Sequence, residues 1–292
     1  MSRIRIWLSA FRLRTLPLAT ASIALGSFLA AAQGAFSWRI ALLCFLTAVL
    51  LQVLSNLAND FGDSVHGADS TRRAGPLRAT QSGSISAGAM RSAVVVFVGL
   101  CLAFGYWLIR GESLIFHAAG LAAIAAAVAY TAGPKPYGYV GLGDIFVFVF
   151  FGIVGVMGSY YLHTHDFNFE ILLPAASCGF FCVAVLNVNN IRDMESDRLA
   201  GKITLPVRLG PGRARIYHWF LLMLGISAAV AYVILNYSHP LQFLFLITLP
   251  LILWNGVAVS SRKEACQLDP YLKQMAVTTL LFSFSFGAGI LF

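Results

Sequence analysis

Nine stretches of about 17–22 residues run through this chain with almost no charge in them, and each is long enough to cross the apolar core of a bilayer as a helix. They cover roughly residues 16–34, 39–58, 92–109, 114–131, 144–162, 169–190, 215–235, 241–259 and 273–291. Inside lipid a segment must satisfy its own backbone amides, so runs of this length are read as helices. Composition closes the other routes. Of the 292 residues, 59% are hydrophobic and only 11% are charged, against about 25% in a soluble domain. So few charges cannot cover a water-facing surface, and so many apolar side chains exclude disorder or a coiled coil. The expectation is an all-α, polytopic membrane protein. About nine transmembrane helices form one bundle over residues 1–292. No A-x-A cleavage pattern ends the first run, so it is expected to be kept. Small residues, as in Ala122–Ala129 and Gly152-x-x-Gly155-x-x-Gly158, let such helices approach closely.

The few charges then orient the chain. It has 20 basic and 12 acidic residues, a net charge of +8. With the N-terminus in the cytoplasm and nine alternating spans, 18 of the 20 basic residues fall on the inner side, leaving only Arg39 and Arg110 outside. That is the positive-inside pattern. The basic excess is thus an orientation signal, and no nucleic-acid partner is implied.

Six of the 12 acids lie in two short clusters, and the same alternation puts both at the cytoplasmic face. The first follows helix 2 and reads Asn59-Asp60-x-x-Asp63, with Asp69 beyond it. The second follows helix 6 and reads Asn189-x-x-x-Asp193-x-x-x-Asp197. On a helix, residues three and four apart share a face. Each cluster therefore gathers carboxylate and amide oxygens into one space. Carboxylates crowded at a membrane surface repel and are costly. A hard divalent cation relieves both penalties, and an all-oxygen donor set suits Mg²⁺, which bridges to substrate phosphates.

Basic residues stand beside the acids. Arg72, Arg73 and Arg78 follow the first cluster, Arg198 and Lys202 lie in or after the second, and Lys135 sits in a Pro-Lys-Pro-Tyr stretch ahead of Asp144. Metal-binding acids ringed by Arg and Lys describe a pocket for a polyanion such as diphosphate. Departure of diphosphate from an allylic carbon would be helped by the metals and cations, and the carbocation left behind needs a dry, aromatic-lined pocket. Other features carry less. Cys178 and Cys182 lie one helical turn apart, and His163 and His165 flank Thr164. Buried core thiols and a solvated loop are the simpler readings beside a metal pair.

With these residues in place, the chain resembles the UbiA superfamily of intramembrane aromatic prenyltransferases. The resemblance rests on Asn59-Asp60-x-x-Asp63 paired with Asn189-x-x-x-Asp193-x-x-x-Asp197 and covers nearly the whole chain. Longer strings are similar to the branch whose acceptor is 1,4-dihydroxy-2-naphthoate. These are Asn56-Leu-Ala-Asn-Asp-Phe-Gly-Asp63, Gly75-Pro-Leu-Arg78, Asn189–Arg198 and Gly201–Gly210, with Arg14-Thr-Leu-Pro17 and the stretch Pro134–Asp144. In other branches an Asp often stands four residues after the middle acid. Here that position is Gly67 and the next acid is Asp69, so a direct metal contact by Asp69 is the open element of the motif.

The resemblance implies Mg²⁺-dependent transfer of a polyprenyl chain from its diphosphate to 1,4-dihydroxy-2-naphthoate, with loss of CO₂, in the cytoplasmic (inner) membrane at a site facing the cytoplasm. It further implies two ions. Asn59, Asp60, Asp63 and Asp69 would serve one, and Asn189, Asp193 and Asp197 the other. Arg78, Lys135, Arg198 and Lys202, with Asn59 and Asn189, would hold the diphosphate. Tyr130 and Asp144 are candidates to face the aromatic acceptor, from position alone. Two alternatives stay open at this point: a sister enzyme using 4-hydroxybenzoate or homogentisate, and a cation-coupled transporter.

Overall fold

The computed structural model describes residues 2–67 and 75–292. Among them every regular element is helical: α1 (Arg3–Ala10), α2 (Leu16–Ala32), α3 (Trp38–Val65), α4 (Ala87–Ile109), α5 (Leu114–Ala129), α6 (Gly143–Val147), α7 (Gly158–Thr164), α8 (Leu172–Arg192), α9 (Met194–Leu199), α10 (Leu205–Leu235), α11 (Leu249–Ser261) and α12 (Asp269–Ile290). A π-helical segment, Phe148–Met157, joins α6 to α7. Each of the nine apolar runs falls in one of these helical stretches. Seven of the described helices are long and apolar enough to cross a membrane: Arg3–Ala32, Trp38–Val65, Ala87–Ile109, Gly143–Thr164, Phe169–Arg192, Leu205–Leu235 and Pro240–Ser261. The other two are shorter or more polar. Helix α5 has 16 residues, and α12 opens on the polar stretch Asp269-Pro-Tyr-Leu-Lys-Gln. The count near nine is thus approximate; the multi-pass membrane character is clear.

Burial is inverted relative to a soluble bundle. Helix α8 is largely covered on all sides, whereas α4 is almost entirely open. The outward side chains are apolar, among them Val95, Trp107, Ile115, Phe220, Met223 and Trp254, as a lipid-facing surface requires. The core groups Leu25, Phe181, Leu222, Phe245, Phe282 and Phe286, from α2, α8, α10, α12 and the 3₁₀ turn before α11.

The helices stop where the site begins. Helix α3 carries its polar end inside the protein, with Asn56, Asn59, Asp60 and Asp63 all buried. It is pressed there against the turn after α5. A Cβ added at Gly62 would stand 2.4 Å from the carbonyl oxygen of Thr131, and the Thr131 hydroxyl donates to the Ala58 carbonyl at 3.0 Å. Only glycine permits that approach. At the end of α9, Gly201 adopts φ 72°, a left-handed conformation open to glycine at little cost. The chain reverses there, and the Lys202 amide donates to the Asp197 carbonyl at 2.8 Å.

Candidate active site

The two acidic clusters meet at Lys202. Its ammonium lies 3.9 Å from Asp63 Oδ2 and 3.6 Å from Asp197 Oδ1, although the two acids are some 130 residues apart in sequence. All three side chains are buried. The tyrosine rings of Tyr130 and Tyr139 flank the ammonium, with centroids 6.0 and 5.7 Å away. Burial works to discharge Lys202, but the attraction of Asp63 and Asp197 outweighs it, and the ammonium is held more firmly protonated than usual. Asp197 is pushed up to about 6, first by burial and then by the neighbouring Asp193 and Asp63, against the pull of Lys202. One of its oxygens, Oδ2, is buried with no hydrogen-bond partner.

Asp63 is held from several sides. The Tyr139 hydroxyl donates to Oδ1 at 2.8 Å, and Arg78 pairs with Oδ2 while donating to the Asn59 carbonyl at 3.0 Å. Tyr139 reaches Asp63 because its turn is stitched to the strand of chain after Lys202: the Ile203 amide donates to the Tyr139 carbonyl at 2.9 Å, and Arg208 donates to the Val140 carbonyl at 2.7 Å.

Asp60 has a different use from its neighbour. It accepts from the Ala79 amide at 3.2 Å and the Thr80 amide at 3.3 Å, and from the Thr80 hydroxyl. Three residues along a helix turn a side chain by about 60° from its starting direction. With Asp63 facing Lys202, Asp60 therefore faces the returning loop and anchors the turn that carries Arg78. The resemblance implies that Asp60 and Asp63 share one ion; in the structure their carboxylates make separate sets of contacts.

In the second cluster, the guanidinium of Arg192 forks onto Asp193, from Nε to Oδ1 at 2.9 Å and from Nη2 to Oδ2 at 2.8 Å, and also donates to Asn189 Oδ1 at 2.8 Å. Its third nitrogen donates to Asp269 at the start of α12. Two expected diphosphate ligands lie apart from this assembly: Lys135 and Arg198 are both exposed. Lys135 sits in the turn between α5 and α6 and Arg198 in the last turn of α9, where a long cationic side chain gains more from water than from the buried cluster. Asp69, Arg72 and Arg73 lie outside the described residues. Tyr130 lies beside the cluster, its ring against the Lys202 ammonium. Asp144 is buried and accepts from the Tyr217 hydroxyl at 3.3 Å.

Four contributors were not singled out by spacing: Tyr139, Arg192, Asp269 and Arg12. Arg12 adopts a left-handed backbone, φ 50°, unusual for a residue with a side chain, and its Nη2 donates to Asn59 Oδ1 at 2.8 Å. That unusual backbone is invisible in sequence; for Arg192, its place between Asn189 and Asp193 was the available signal.

A cavity of about 850 Å³ opens from this polar end. Arg12, Asn59, Arg78, Asn189 and Lys202 line its head; Tyr130, Tyr137 and Phe146 follow; and it continues past Phe150, Ile153 and Phe116 to Phe167. It runs beside the whole of α5, from Tyr130 at one end to Ser113 at the other, about 24 Å at 1.5 Å per residue. A charged head and a long apolar body suit an amphiphile with an anionic headgroup. Among the described residues no group of three or more acidic, His or Cys side chains is placed to hold a metal ion by itself.

A membrane-embedded helical bundle with paired Asn/Asp motifs at the mouth of a long apolar cavity defines an intramembrane transferase of lipid diphosphates. The chain belongs to the UbiA prenyltransferase family, whose model matches residues 19–284. It is 42% identical to the 1,4-dihydroxy-2-naphthoate octaprenyltransferase of Haemophilus influenzae, over 99% of this chain and 96% of that one. It is 35% identical to the enzyme of the same name from Mycobacterium tuberculosis, over 100% and 99%. In fold it matches the apo structure of a UbiA homologue from Aeropyrum pernix, with a TM-score of 0.70 at 17% identity over 94% of this chain and 96% of that one. It also matches an Archaeoglobus fulgidus homologue bound to GPP and Mg²⁺, with a TM-score of 0.64 at 18% identity over 96% and 99%.

Proposed function

We propose that this protein transfers a polyprenyl chain from polyprenyl diphosphate to 1,4-dihydroxy-2-naphthoate, with release of CO₂, to give demethylmenaquinone in its quinol form. The observation that carries the reading is the pairing of Asp63 and Asp197 through one buried ammonium at the head of an apolar cavity. The 1,4-dihydroxy-2-naphthoate acceptor follows from the full-length relatives that carry it in their names.

The donor set fits Mg²⁺: hard oxygens only, and an orphaned carboxylate oxygen on Asp197. One ion would be held by Asp63 with Asn59, a second by Asp197 and Asp193 with Asn189. When bound, Mg²⁺ supplies charge neutralisation on the diphosphate. Lys202 and Arg78 add cationic donors aimed at the same space. The apolar body of the cavity takes the isoprenoid tail and excludes water from the ionised allylic carbon. The rings of Tyr130, Tyr137 and Phe146 line the cavity next to the head, where π faces stabilise a developing cation. The allylic C–O bond breaks and its electron pair leaves with the diphosphate. The electron-rich ring carbon bonds to the allylic carbon, the bond to the carboxylate carbon breaks, and that electron pair restores the aromatic ring. The site faces the cytoplasm, in the inner membrane.

The test is direct. Purified protein in detergent receives Mg²⁺, a long polyprenyl diphosphate and 1,4-dihydroxy-2-naphthoate labelled in its carboxylate. Demethylmenaquinone by mass, with labelled CO₂ released in equal amount, is the expected result. Turnover of 4-hydroxybenzoate or homogentisate in its place, or divalent-dependent uptake into vesicles without transfer, would overturn it.

A further inference from the structure

We infer that Asp269 is a positioning residue for the second acidic cluster: it is the standing counter-charge of Arg192, and so lets Asp193 exchange a guanidinium for a divalent cation. Four charges alternate in a line. Arg14 donates to both oxygens of Asp269 at 3.0 Å, Asp269 accepts from Arg192 Nη1, and Arg192 forks onto Asp193. Arg192 is fully buried in its side chain, and Asp193 nearly so. A Cβ at Gly75 would stand 2.8 Å from Arg192 Nη2, so the chain closes over the guanidinium and keeps water off it.

The consequence concerns what happens when Asp193 and Asn189 turn to a metal ion, a step that rests on the reading of Asp193 as a ligand. Arg192 then loses the partners of Nε and Nη2 together. A buried cation stripped of its carboxylate is strongly disfavoured. Asp269 sits at the third nitrogen, so the guanidinium keeps a negative partner throughout. Without Asp269, Asp193 is the only carboxylate paired with Arg192 among the described residues, and the guanidinium competes harder with the metal. Arg14 has the opposite effect. It draws on Asp269 from the far side, so its removal turns Asp269 fully onto Arg192 and loosens Asp193. Asp269 opens the last long helix and Arg14 lies in the turn just ahead of α2, so the two ends of the bundle are tied to one metal-facing carboxylate.

The experiment measures Mn²⁺ binding to the detergent-purified protein, from the free-ion signal in electron paramagnetic resonance. Asp269→Asn is expected to raise the half-saturating Mn²⁺ about tenfold, Asp269→Glu to restore it, and Arg14→Gln to lower it by about two- to threefold. General disturbance of the fold would move the Asn and Gln variants in the same direction, and that outcome overturns the inference. So does an unchanged Mn²⁺ affinity in Asp269→Asn. If Asp269→Asn does not survive extraction, the sign of the Arg14→Gln shift decides, and a rise refutes it. Asp193→Asn serves as the separate check: wild-type Mn²⁺ binding in that variant removes the ligand reading itself, whereas its loss beside an unaltered Asp269→Asn removes the positioning role alone.

Discussion

At the scale of single residues the site is held together by one ammonium among acids. Asp63 and Asp197 would repel in a buried space, and Lys202 stands where a bound cation would otherwise have to. Asp197 at about 6 gives this a pH signature. Its folded value lies above the ordinary carboxylate range, so the metal-free fold prefers it protonated. That contribution is full below about pH 4 and fades as pH rises through about 6. The metal needs the ionised form. A fixed Mg²⁺ concentration should therefore raise the unfolding temperature more at pH 7 than at pH 5; an equal rise at both would count against Asp197 as a ligand. Asp63→Asn keeps an acceptor for the Tyr139 hydroxyl but removes the charge. Turnover should fall about a hundredfold or more, with yield in the membrane fraction unchanged. Near-normal turnover would exclude Asp63 from the chemistry.

At the scale of elements, the decisive contact is α3 against the turn after α5. Gly62 lies between Asp60 and Asp63, and its bare Cα lets the helix sit on the Thr131 carbonyl. Gly62→Ala improves helix propensity but drives a methyl into backbone that cannot yield. The expected net loss is about 1–3 kcal/mol, read as a lower unfolding temperature in detergent together with lower activity. An unchanged melting point would show that the two elements can slide apart. The pattern also explains why the first motif was only half legible. Periodicity says that Asp60 and Asp63 are near neighbours on a helix. It does not say that the 79–80 turn comes back to claim Asp60 through two amides.

For the whole molecule, orientation and substrate access are linked. The basic residues put the acidic clusters and the segment 262–268 on the same face. Cys266 in that segment is exposed, whereas Cys44, Cys101, Cys178 and Cys182 are buried. A membrane-impermeant maleimide should label the native protein at Cys266 in inside-out vesicles and spare it in right-side-out ones. The reverse pattern would invert the topology.

Nine apolar runs, a one-sided distribution of arginine and lysine, and two Asn/Asp motifs made the bundle and its chemistry readable in advance, because lipid allows few backbone solutions and metal–diphosphate chemistry few side-chain types. Helix periodicity and hydropathy are local, and they act along one segment at a time. What no local pattern could supply is the pairing of segments. Packing turned Asp60 to a loop, left Lys135 and Arg198 in the open, and brought Tyr139, Arg192 and Asp269 onto the acidic clusters. Those choices depend on which buried charges find partners once the helices are assembled, and that balance exists only in three dimensions.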